Sequence, residues 1–401
     1  MDYKCILDDA INKSHYFNNI DLRFNKKYNI LLNSKQLDEY LAYKENYTCD
    51  NKIELPLYSF NSKKIYFYKS YELENLKNDY FKYILDNSSI LENNYKEIIL
   101  SRLSSELDGT LRIEGVNTTR KKIENIIKKN NISDTNEQII YNMYQGYNFI
   151  KEKPSFNKDN ILKLYKILSY KSLAEEDLPK EYYRNQMVEV GGHDGCDVDS
   201  IERAMDSLIL YVNSNTITNS FYLPFIVHYY ILYIHPYFDY NGRFARMASL
   251  WVSMLMNKEN IFPTYISEAI FAEKYNYYKA IDNTRNSNND LTYFLTFLTS
   301  ISCKYYMVYK NLDEIKKELE RNGEELTVNE LYYLKRILIN NNLGWFNYKS
   351  FLEFSSADIT KQAAFKILNN FMKLNLLLTK TNSKNEKIFK LNQDIITYQI
   401  N

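Results

Sequence analysis

The sequence has little glycine and little proline, with 9 and 6 residues respectively in a chain of 401. Both residue types interrupt helices, so their scarcity favours long helical segments. The four cysteines are far apart and form no C-x-x-C pair, which argues against a disulfide framework. We therefore expect a protein of the reducing cytoplasm.

Charge of one sign and long apolar runs are also lacking. The 51 Lys and Arg residues nearly cancel the 50 Asp and Glu residues, so no global field favours nucleic acid or an acidic membrane. The longest apolar run, residues 221–234, contains Pro224 and His228 and is shorter than the roughly 20 residues of a membrane-spanning helix. The N-terminus shows no basic-then-apolar signal pattern. We expect no membrane partner.

Apolar residues at helical spacing are abundant. Ile99, Leu103, Leu107 and Leu111 recur every four residues, which places them on one helix face. In MVEVGG, residues 187–192, alternation and two glycines instead predict a short strand or hairpin. Similar helical spacing covers 118–129, 136–152, 159–169, 199–213, 222–234, 243–256 and 289–308. Residues 90–310 are thus predicted to be mostly α.

The two ends of the chain have different patterns, and the length suggests two or three domains. Residues 1–90 are mixed, with a strand-like KIYFY at 64–68, and form an N-terminal region of unknown role. The charged stretch 309–324 predicts a linking helix after a core over 91–308. Residues 325–401 carry helical patterns at 325–340, 348–354 and 357–374 and a strand–turn–strand pattern at 376–391, an order similar to a winged helix.

The segment IHPYFDYNGRFAR, residues 234–246, brings a base and a metal ligand close together in the chain. An apolar helix delivers His235 to its end, and Pro236 stops that helix. With an unperturbed pKa of about 6.5, His235 can accept a proton near neutral pH. Asp239 offers the hard oxygen that Mg²⁺ prefers.

The same segment also offers a phosphate cradle. A second helix is predicted to begin near Arg243, and N–H groups at a helix start bind anions. Gly242 allows a close backbone approach, and Arg243 and Arg246 present two guanidiniums to phosphate oxygens. Each residue alone is more often structural. Together they suit phosphoryl-type transfer, which needs positioning, charge neutralisation and a base.

The segment resembles the Fic-family signature H-P-F-x-[D/E]-G-N-G-R-x-x-R, and the resemblance extends over about residues 95–305. The stretches 223–230 and 289–295 are similar to the flanking family helices. The resemblance implies a mainly α, Fic-type helical core with a short β-hairpin flap. It also implies an adenylyltransferase that moves AMP from ATP-Mg to a Ser, Thr or Tyr hydroxyl of a protein, itself included. The implied roles are His235 as general base, Asp239 as Mg²⁺ ligand, Asn241 and Gly242 as anion hole, Arg243 and Arg246 as contacts of the β- and γ-phosphates, and Tyr277 and Tyr278 as adenine contacts or core residues.

Two positions depart from the signature. Tyr237 replaces Phe, which keeps the ring. Tyr240 replaces a residue that is usually Gly, and a Tyr there costs energy if the position needs a positive φ. The nucleotide pose, the rate and the transferred group all depend on how the fold accommodates Tyr240.

A second motif is TLRIEG, residues 110–115. Thr110 and Glu114 lie four residues apart on a helix that Gly115 is expected to end. The motif resembles the [S/T]-x-x-x-E-[G/N] sequence of self-inhibited Fic proteins, in the class whose inhibitory helix, here about 100–115, precedes the core. The resemblance implies that Glu114 pairs with Arg246 and takes the place of the γ-phosphate.

The predicted hairpin resembles the family's flap, to whose edge a target backbone can add. Its candidate docking residues are Met187, Val188, Glu189 and Val190. His193 and Cys196, just beyond, have no further ligands nearby in the sequence, so we predict no metal site there. His228 is predicted to be a packed residue.

Several alternatives remain open from the sequence. The protein is a DNA-binding regulator with a degenerate Fic core, if the C-terminal region binds DNA through its third helix and wing. The same core can transfer another nucleotide or remove AMP, and a homodimer is also open. The lysine-rich positions that favour DNA are Lys361, Gln362, Lys366, Lys373, Lys380, Lys384 and Lys387.

Overall fold

A computed structural model describes residues 2–28, 30–85, 95–116, 118, 120–129, 132–214, 221–256, 266–340, 344–354 and 359–396. The chain forms two compact units, Met1–Ser300 and Ile301–Asn401. Helices dominate the described residues and strands are short, so the prediction of a mainly α fold is confirmed. The finer domain boundaries at residues 90, 308 and 324 remain predictions.

The first unit begins with helices and one antiparallel hairpin. Asn18 and Asn33 start the second and third helices as capping boxes, in which side chain and backbone satisfy each other's donors. The strand-like segment 64–68 is indeed a strand, and its Phe67 lies opposite Ile53. The elements are α1 (Tyr3–Asn12), α2 (Asn19–Phe24), α3 (Ser34–Asn46), β1 (Lys52–Tyr58), β2 (Lys64–Tyr68) and α4 (Tyr71–Leu85).

The remaining elements of the first unit surround two adjacent buried helices, α10 and α11, which pack on each other. Helix α10 is apolar on every side, as expected of a helix inside a core. Helix α5 packs against α12, and α7 against α8. The elements are α5 (Tyr95–Ile113), α6 (Arg120–Lys129), α7 (Thr135–Lys151), α8 (Lys158–Ser169), β3 (Glu189–Val190), β4 (His193–Asp194), α9 (Val198–Ser214), α10 (Leu223–Ile234), α11 (Asn241–Leu255), α12 (Ser267–Ala272), α13 (Lys274–Arg285) and the first part of α14 (Thr292–Arg321), which continues into the second unit.

The hairpin predicted at 187–192 is present as strands β3 and β4. Gly191 and Gly192, with φ of 59° and 79°, form the two-residue turn between them. Positive φ at both turn positions matches the twist of the strands, which is why glycine suits this turn. We call residues 187–195 the flap. Met187 and Val188 precede the first strand.

Helix α14 differs from the prediction of a core helix over 289–308 followed by a separate linking helix over 309–324. The structure has one helix, Thr292–Arg321. No Gly or Pro lies between these residues, and Gly323 stands two residues after the end. The change from apolar to charged composition therefore marks a change of surroundings and not a break in the helix.

The second unit contains the three helices and the hairpin that the sequence predicts. Thr327 and Glu330 form a capping box at the start of its first helix. A short strand, missed because two residues leave no pattern, completes a sheet of order β5-β7-β6. The elements are α15 (Val328–Ile339), β5 (Phe346–Asn347), α16 (Tyr348–Phe354), α17 (Lys361–Lys373), β6 (Leu377–Thr381) and β7 (Lys387–Leu391). In the part of the chain that the structure describes, no helix is both long and apolar enough to span a membrane.

A buried ion pair attaches the N-terminal helices to the rest of the first unit. Lys44 Nζ lies 2.8 Å from Asp290 Oδ2, and both side chains are almost completely buried. The Tyr16 hydroxyl donates a hydrogen bond to the same carboxylate, and the ammonium also lies over the rings of Tyr40 and Tyr293. Because both charges are shielded from water, removing either partner leaves the other without compensation.

We expect Lys44→Met to lower the free energy of unfolding of the first unit by about 3–5 kcal/mol, the usual cost of breaking a buried pair. The measurement is urea unfolding followed by fluorescence of the buried Trp251, in a Trp345→Phe background. Lys63→Met is the matched control, because Lys63 pairs with Glu45 at 2.6 Å but is 57% exposed. The control should cost about 0–1 kcal/mol. Equal losses in the two variants would show that the buried pair has no special role.

Candidate active site

His235 lies at the end of α10, where the chain turns toward α11. Its backbone is left-handed, with φ of 52° and ψ of 62°, and its N–H donates to the carbonyl of Ile231 at 2.9 Å. Pro236 follows and prevents the helix from continuing. The imidazole is half-buried. The fold thus places His235 at a fixed helix end, as the sequence predicts.

The surroundings of His235 keep its imidazole neutral. Burial lowers its pKa to about 4, and the positive charges of Arg184 and Arg285 act in the same direction. The Leu232 carbonyl and the Asp239 carboxylate oppose this shift. At neutral pH the ring therefore keeps a free lone pair, the state that a general base requires.

Helix α11 begins at Asn241, two residues before the predicted start near Arg243. Tyr240 takes a left-handed conformation with φ of 68° and serves as the N-cap residue. The Asn241 side chain ties the loop by accepting from the N–H of Tyr237 at 3.0 Å and donating to its carbonyl at 2.8 Å. These two bonds fix the side chain of Asn241 in the loop, and its backbone N–H lies at the start of the helix, where it can contribute to an anion hole.

Tyr240 occupies the position where the signature has glycine, and the position does adopt a positive φ. A non-glycine residue there costs about 1–2 kcal/mol. Its ring packs under the guanidinium of Arg243, 3.4 Å from ring centre to Cζ, and its hydroxyl donates to Ser172 Oγ at 2.6 Å. The ring of Tyr240 therefore packs beside the phosphate cradle and does not fill it.

Glu114 and Arg246 form an ion pair, as the motif TLRIEG predicts. Glu114 directly follows α5, and its Oε1 accepts from Arg246 Nη2 at 2.6 Å. Thr110 Oγ1 accepts from Arg246 Nε at 2.6 Å, so both motif residues hold one guanidinium. Burial raises the pKa of Glu114, but the charge and hydrogen bond of Arg246 outweigh burial and lower it below its ordinary value. The carboxylate is thus ionised at neutral pH.

The Glu114 carboxylate also lies directly at the start of α11. A Cβ atom on Gly242 would be 2.6 Å from Glu114 Oε1 and 3.4 Å from Arg246 Nη1. Only glycine leaves room for an anion this close to the backbone. An anionic group of the protein therefore stands where helix N–H groups and two arginines favour negative charge.

Arg243 and Asp239 lie on the open side of this cradle. Arg243 Nη2 is 3.7 Å from Asp239 Oδ1, with Arg243 buried and Asp239 60% exposed. In the described ranges, Arg243 Nε has no hydrogen-bond partner although it is buried. An orphaned, charged donor of this kind fits a phosphate oxygen.

Asp239 is a single carboxylate, and the described residues contain no group of three or more His, Cys, Asp or Glu side chains that could hold a metal. This donor set does not suit zinc. It fits Mg²⁺, which keeps several waters and is typically bound by one or two carboxylates together with phosphates of the substrate.

Tyr277 and Tyr278 have different environments. Tyr277 is 1% exposed and bonds His228 Nε2 at 2.9 Å, so burial places it in the core and not on a nucleotide surface. His228 is likewise buried, as predicted. Tyr278 is 45% exposed, and adenine contact stays a prediction for this residue.

Two arginines near His235 were missed by the sequence analysis. Arg184 donates from Nε to the carbonyl of His235 at 2.8 Å, and Arg285 donates from Nη1 to the carbonyl of Val190 in the flap at 3.2 Å. The flap thus contacts two cations that also act on His235. Both arginines bind main-chain carbonyls, which leave no signal in a side-chain pattern.

The sequence analysis also did not predict how α5 packs against the start of α12. Glu106 accepts hydrogen bonds from the N–H and the hydroxyl of Ser267, at the start of α12. A Cβ on Gly109 would overlap the backbone of Ser267 and Glu268. These contacts hold the helix that carries Glu114 against the core.

We expect the imidazole of His235 to titrate near pH 4 and that of His15 near pH 9. Hydrogen bonds to Asp21 and Glu72 raise the pKa of His15, against the opposing effect of burial. The measurement is a ¹³C NMR titration of the four histidines, with His235→Ala assigning the signal. A His235 pKa near the ordinary value of about 6.5 would contradict the electrostatic environment described above.

Comparison with known proteins agrees with this geometry. A family model described as "Fic/DOC family" matches residues 155–253. A Fic family protein from Desulfovibrio desulfuricans G20 matches with a TM-score of 0.51 at 16% identity, covering 80% of this chain and 95% of that one. Fic-1 from C. elegans matches with a TM-score of 0.45 at 17% identity, covering 59% and 70%. A Fic domain containing signaling protein from Bacteroides thetaiotaomicron VPI-5482 matches with a TM-score of 0.45 at 14% identity, covering 64% and 99%.

At these identities the likeness to the Desulfovibrio protein shows the fold, and the family match shows the domain. The matched residues include His235, the start of α11 and the flap. The chain therefore has the fold of the Desulfovibrio Fic family protein, and residues 155–253 match the model of the Fic/DOC family, which generally transfers nucleoside monophosphates onto proteins.

Proposed function

We propose that this protein transfers AMP from ATP to a hydroxyl side chain of a protein and that Glu114 inhibits the transfer. The observation that carries the proposal is the position of the Glu114 carboxylate, between Gly242 and Arg246. An anion already stands in the cradle on which nucleotide phosphates would bind. The neutral imidazole of His235 lies at the adjoining helix end, where it can act as base.

In the proposed reaction, a hydroxyl oxygen of the target attacks the α-phosphorus of ATP. A bond from that oxygen to the α-phosphorus forms, and the bond from the α-phosphorus to the bridging oxygen of the β-phosphate breaks. The proton of the hydroxyl passes to His235, and pyrophosphate leaves with the bonding electrons. The products are an AMP ester of the target and pyrophosphate.

The cradle residues divide the remaining work. The N–H groups at the start of α11 and the orphaned Nε of Arg243 would bind phosphate oxygens, and Arg246 would hold the γ-phosphate after release from Glu114. Asp239 would hold Mg²⁺, which neutralises charge on the departing pyrophosphate. The ring of Tyr240 packs against the guanidinium of Arg243 and would keep it in position.

Inhibition follows from competition for Arg246. The guanidinium is almost completely buried and cannot bind Glu114 and a γ-phosphate in the same place. A hydrogen bond between charged groups is worth about 1.5–3 kcal/mol, which corresponds to roughly 10- to 150-fold in an equilibrium constant. ATP that binds without displacing Glu114 would therefore lie in an unproductive pose.

We expect Glu114→Gly to raise the rate of transfer about 10- to 150-fold, since Arg246 is then free for the γ-phosphate. The measurement is incorporation of label from α-³²P-ATP, with intact-protein mass spectrometry to show that the added group is AMP. Adding His235→Ala to that variant should reduce the rate by about 10²–10⁴-fold, because the base is lost.

Glu152→Gly is the matched control for Glu114→Gly. Glu152 directly follows α7 as Glu114 follows α5, but it is exposed. It should leave the rate unchanged. No labelling in either the wild-type or the Glu114→Gly protein would refute the proposal, and a different added mass would identify another nucleotide.

A second candidate function concerns the second unit. Residues 361–391 contain seven Lys residues and one Glu. The helices α15, α16 and α17 with the β5-β7-β6 sheet support a winged-helix arrangement. On α17, Gln362, Lys366, Asn369 and Lys373 are exposed and share the face opposite Ala364, Leu368 and Phe371, and Lys361 is exposed at the start of the helix. Such a face favours duplex DNA, with lysines for phosphates and amides for bases.

We expect the full chain to shift a short DNA duplex at low salt. The triple variant Lys361→Gln, Lys366→Gln, Lys373→Gln should weaken binding and reduce the slope of log K against log salt by about one for each lost phosphate contact. The control replaces Lys13, Lys35 and Lys166, exposed lysines of the first unit, by Gln. Equal binding by the two triple variants would exclude α17 as a DNA surface and favour a protein-contact role.

A further inference from the structure

The turn between α10 and α11 has three consecutive carbonyl groups that accept hydrogen bonds from the flap and its flanks. The Ile234 carbonyl accepts from the N–H of Cys196 at 3.4 Å. The His235 carbonyl accepts from Arg184 Nε at 2.8 Å, and the Pro236 carbonyl accepts from the Arg184 N–H at 3.0 Å. Carbonyls at a helix end have no donor within the helix, so these bonds satisfy groups that otherwise need water.

The guanidinium of Arg184 joins this turn to both ends of the flap. Its Nη1 donates to the carbonyl of Gln186, just before the flap, at 2.6 Å, and its Nη2 donates to the carbonyl of Cys196, just after it. Between these points the Gly195 N–H donates to the Val188 carbonyl at 2.8 Å and closes the base of the hairpin. One planar group thus holds three segments of main chain.

The charge of Arg184 is only partly compensated, by the nearby charge of Asp197. The residue is 2% exposed, and among the described residues no carboxylate lies close enough to form an ion pair with it. Burial lowers its pKa, although nearby Cys196 and Asp197 oppose this. A buried, unpaired cation is costly, and the carbonyls at the C-terminal end of α10 offset part of that cost because they carry partial negative charge. A neutral side chain of similar length would avoid the cost of a buried charge, but it could not donate to three carbonyls at once.

We propose that Arg184 is a positioning residue that fastens the flap to the peptide of His235 and so fixes the distance between a docked target and the base. The inference rests on the proposed function, in which a target chain adds to the flap edge. A target hydroxyl presented by the flap would then meet the imidazole at the same place in each encounter. Misplacement by about 1 Å can cost roughly 10²-fold in rate.

Two variants of Arg184 separate the effect of its charge from the effect of its hydrogen-bond geometry. Arg285 donates to Val190 of the flap, and both cations lower the pKa of His235. Lysine at position 184 keeps the positive charge but has a single nitrogen, which cannot bridge three carbonyls in one plane. Arg184→Lys therefore tests the geometry, and Arg184→Met tests geometry and charge together.

The kinetic test compares Arg184→Lys with Arg203→Lys, both in the Glu114→Gly protein. Arg203 is an exposed arginine of α9, so it controls for the change of residue type. We expect Arg184→Lys to lower kcat/KM for the modified protein by about 10²-fold. The KM for ATP should stay within about twofold, because Arg184 does not touch the nucleotide cradle. Equal kinetics in the two variants would overturn the proposal.

Two measurements need no activity. Hydrogen exchange of the Gly195 and Cys196 amides should be about tenfold faster in Arg184→Lys and unchanged in Arg203→Lys, because opening of the flap exposes these amides. In the NMR titration, Arg184→Met should raise the pKa of His235, and Arg184→Lys should leave it low.

These readouts separate failure of the inference from failure of the proposed function. If the Glu114→Gly protein transfers nothing, the proposed function fails and hydrogen exchange alone decides the role of Arg184. Unchanged exchange in Arg184→Lys would overturn the positioning role even if transfer is observed. If Arg184→Met does not fold, the Arg184→Lys protein still gives the deciding result.

Discussion

The concentration of positive charge at the start of α11 is the constraint on which the rest of the site depends. Backbone N–H groups, Arg243 and Arg246 converge there, and nearly all of this charge is buried. A site of this kind requires an anion, and Glu114 supplies one from within the chain. The same charge would attract the phosphates of a nucleotide, so the proposed nucleotide binding and the proposed inhibition by Glu114 rest on one electrostatic demand.

The need for an anion at this place explains why α5, the helix that precedes Glu114, packs closely against α12. Gly109 allows the helix to approach the backbone at Ser267, and Glu106 bonds the N–H and hydroxyl of that residue. Burial raises the pKa of Glu106 to about 7, so the contact is polar but not strongly charged at neutral pH. The helix that precedes Glu114 is thus held by contacts separate from the Glu114–Arg246 pair.

The surroundings of His235 follow from a second constraint, the unsatisfied carbonyls of the α10–α11 turn. Arg184 satisfies them and brings a positive charge, which together with burial and Arg285 keeps the imidazole neutral. The same contacts join the turn to the flap. His235 and the start of the cradle consequently lie on one short piece of chain between two buried helices, and Arg184 joins the flap to that piece through hydrogen bonds, which gives the site its rigidity.

The sequence by itself determined the helical periodicity, the hairpin at the flap, His235 at a helix end and the pairing of Glu114 with Arg246, the last through resemblance to a motif. These features depend on residue type and local spacing. Only the tertiary structure decided that Tyr240 packs under Arg243, that Tyr277 is buried and that Arg184 and Arg285 act on His235. The reason is physical. Most of these contacts join residues far apart in the chain, several of them through backbone carbonyls that every residue carries. The packing of Tyr240 under Arg243 is local, but it depends on a positive φ at Tyr240 that residue type alone does not favour.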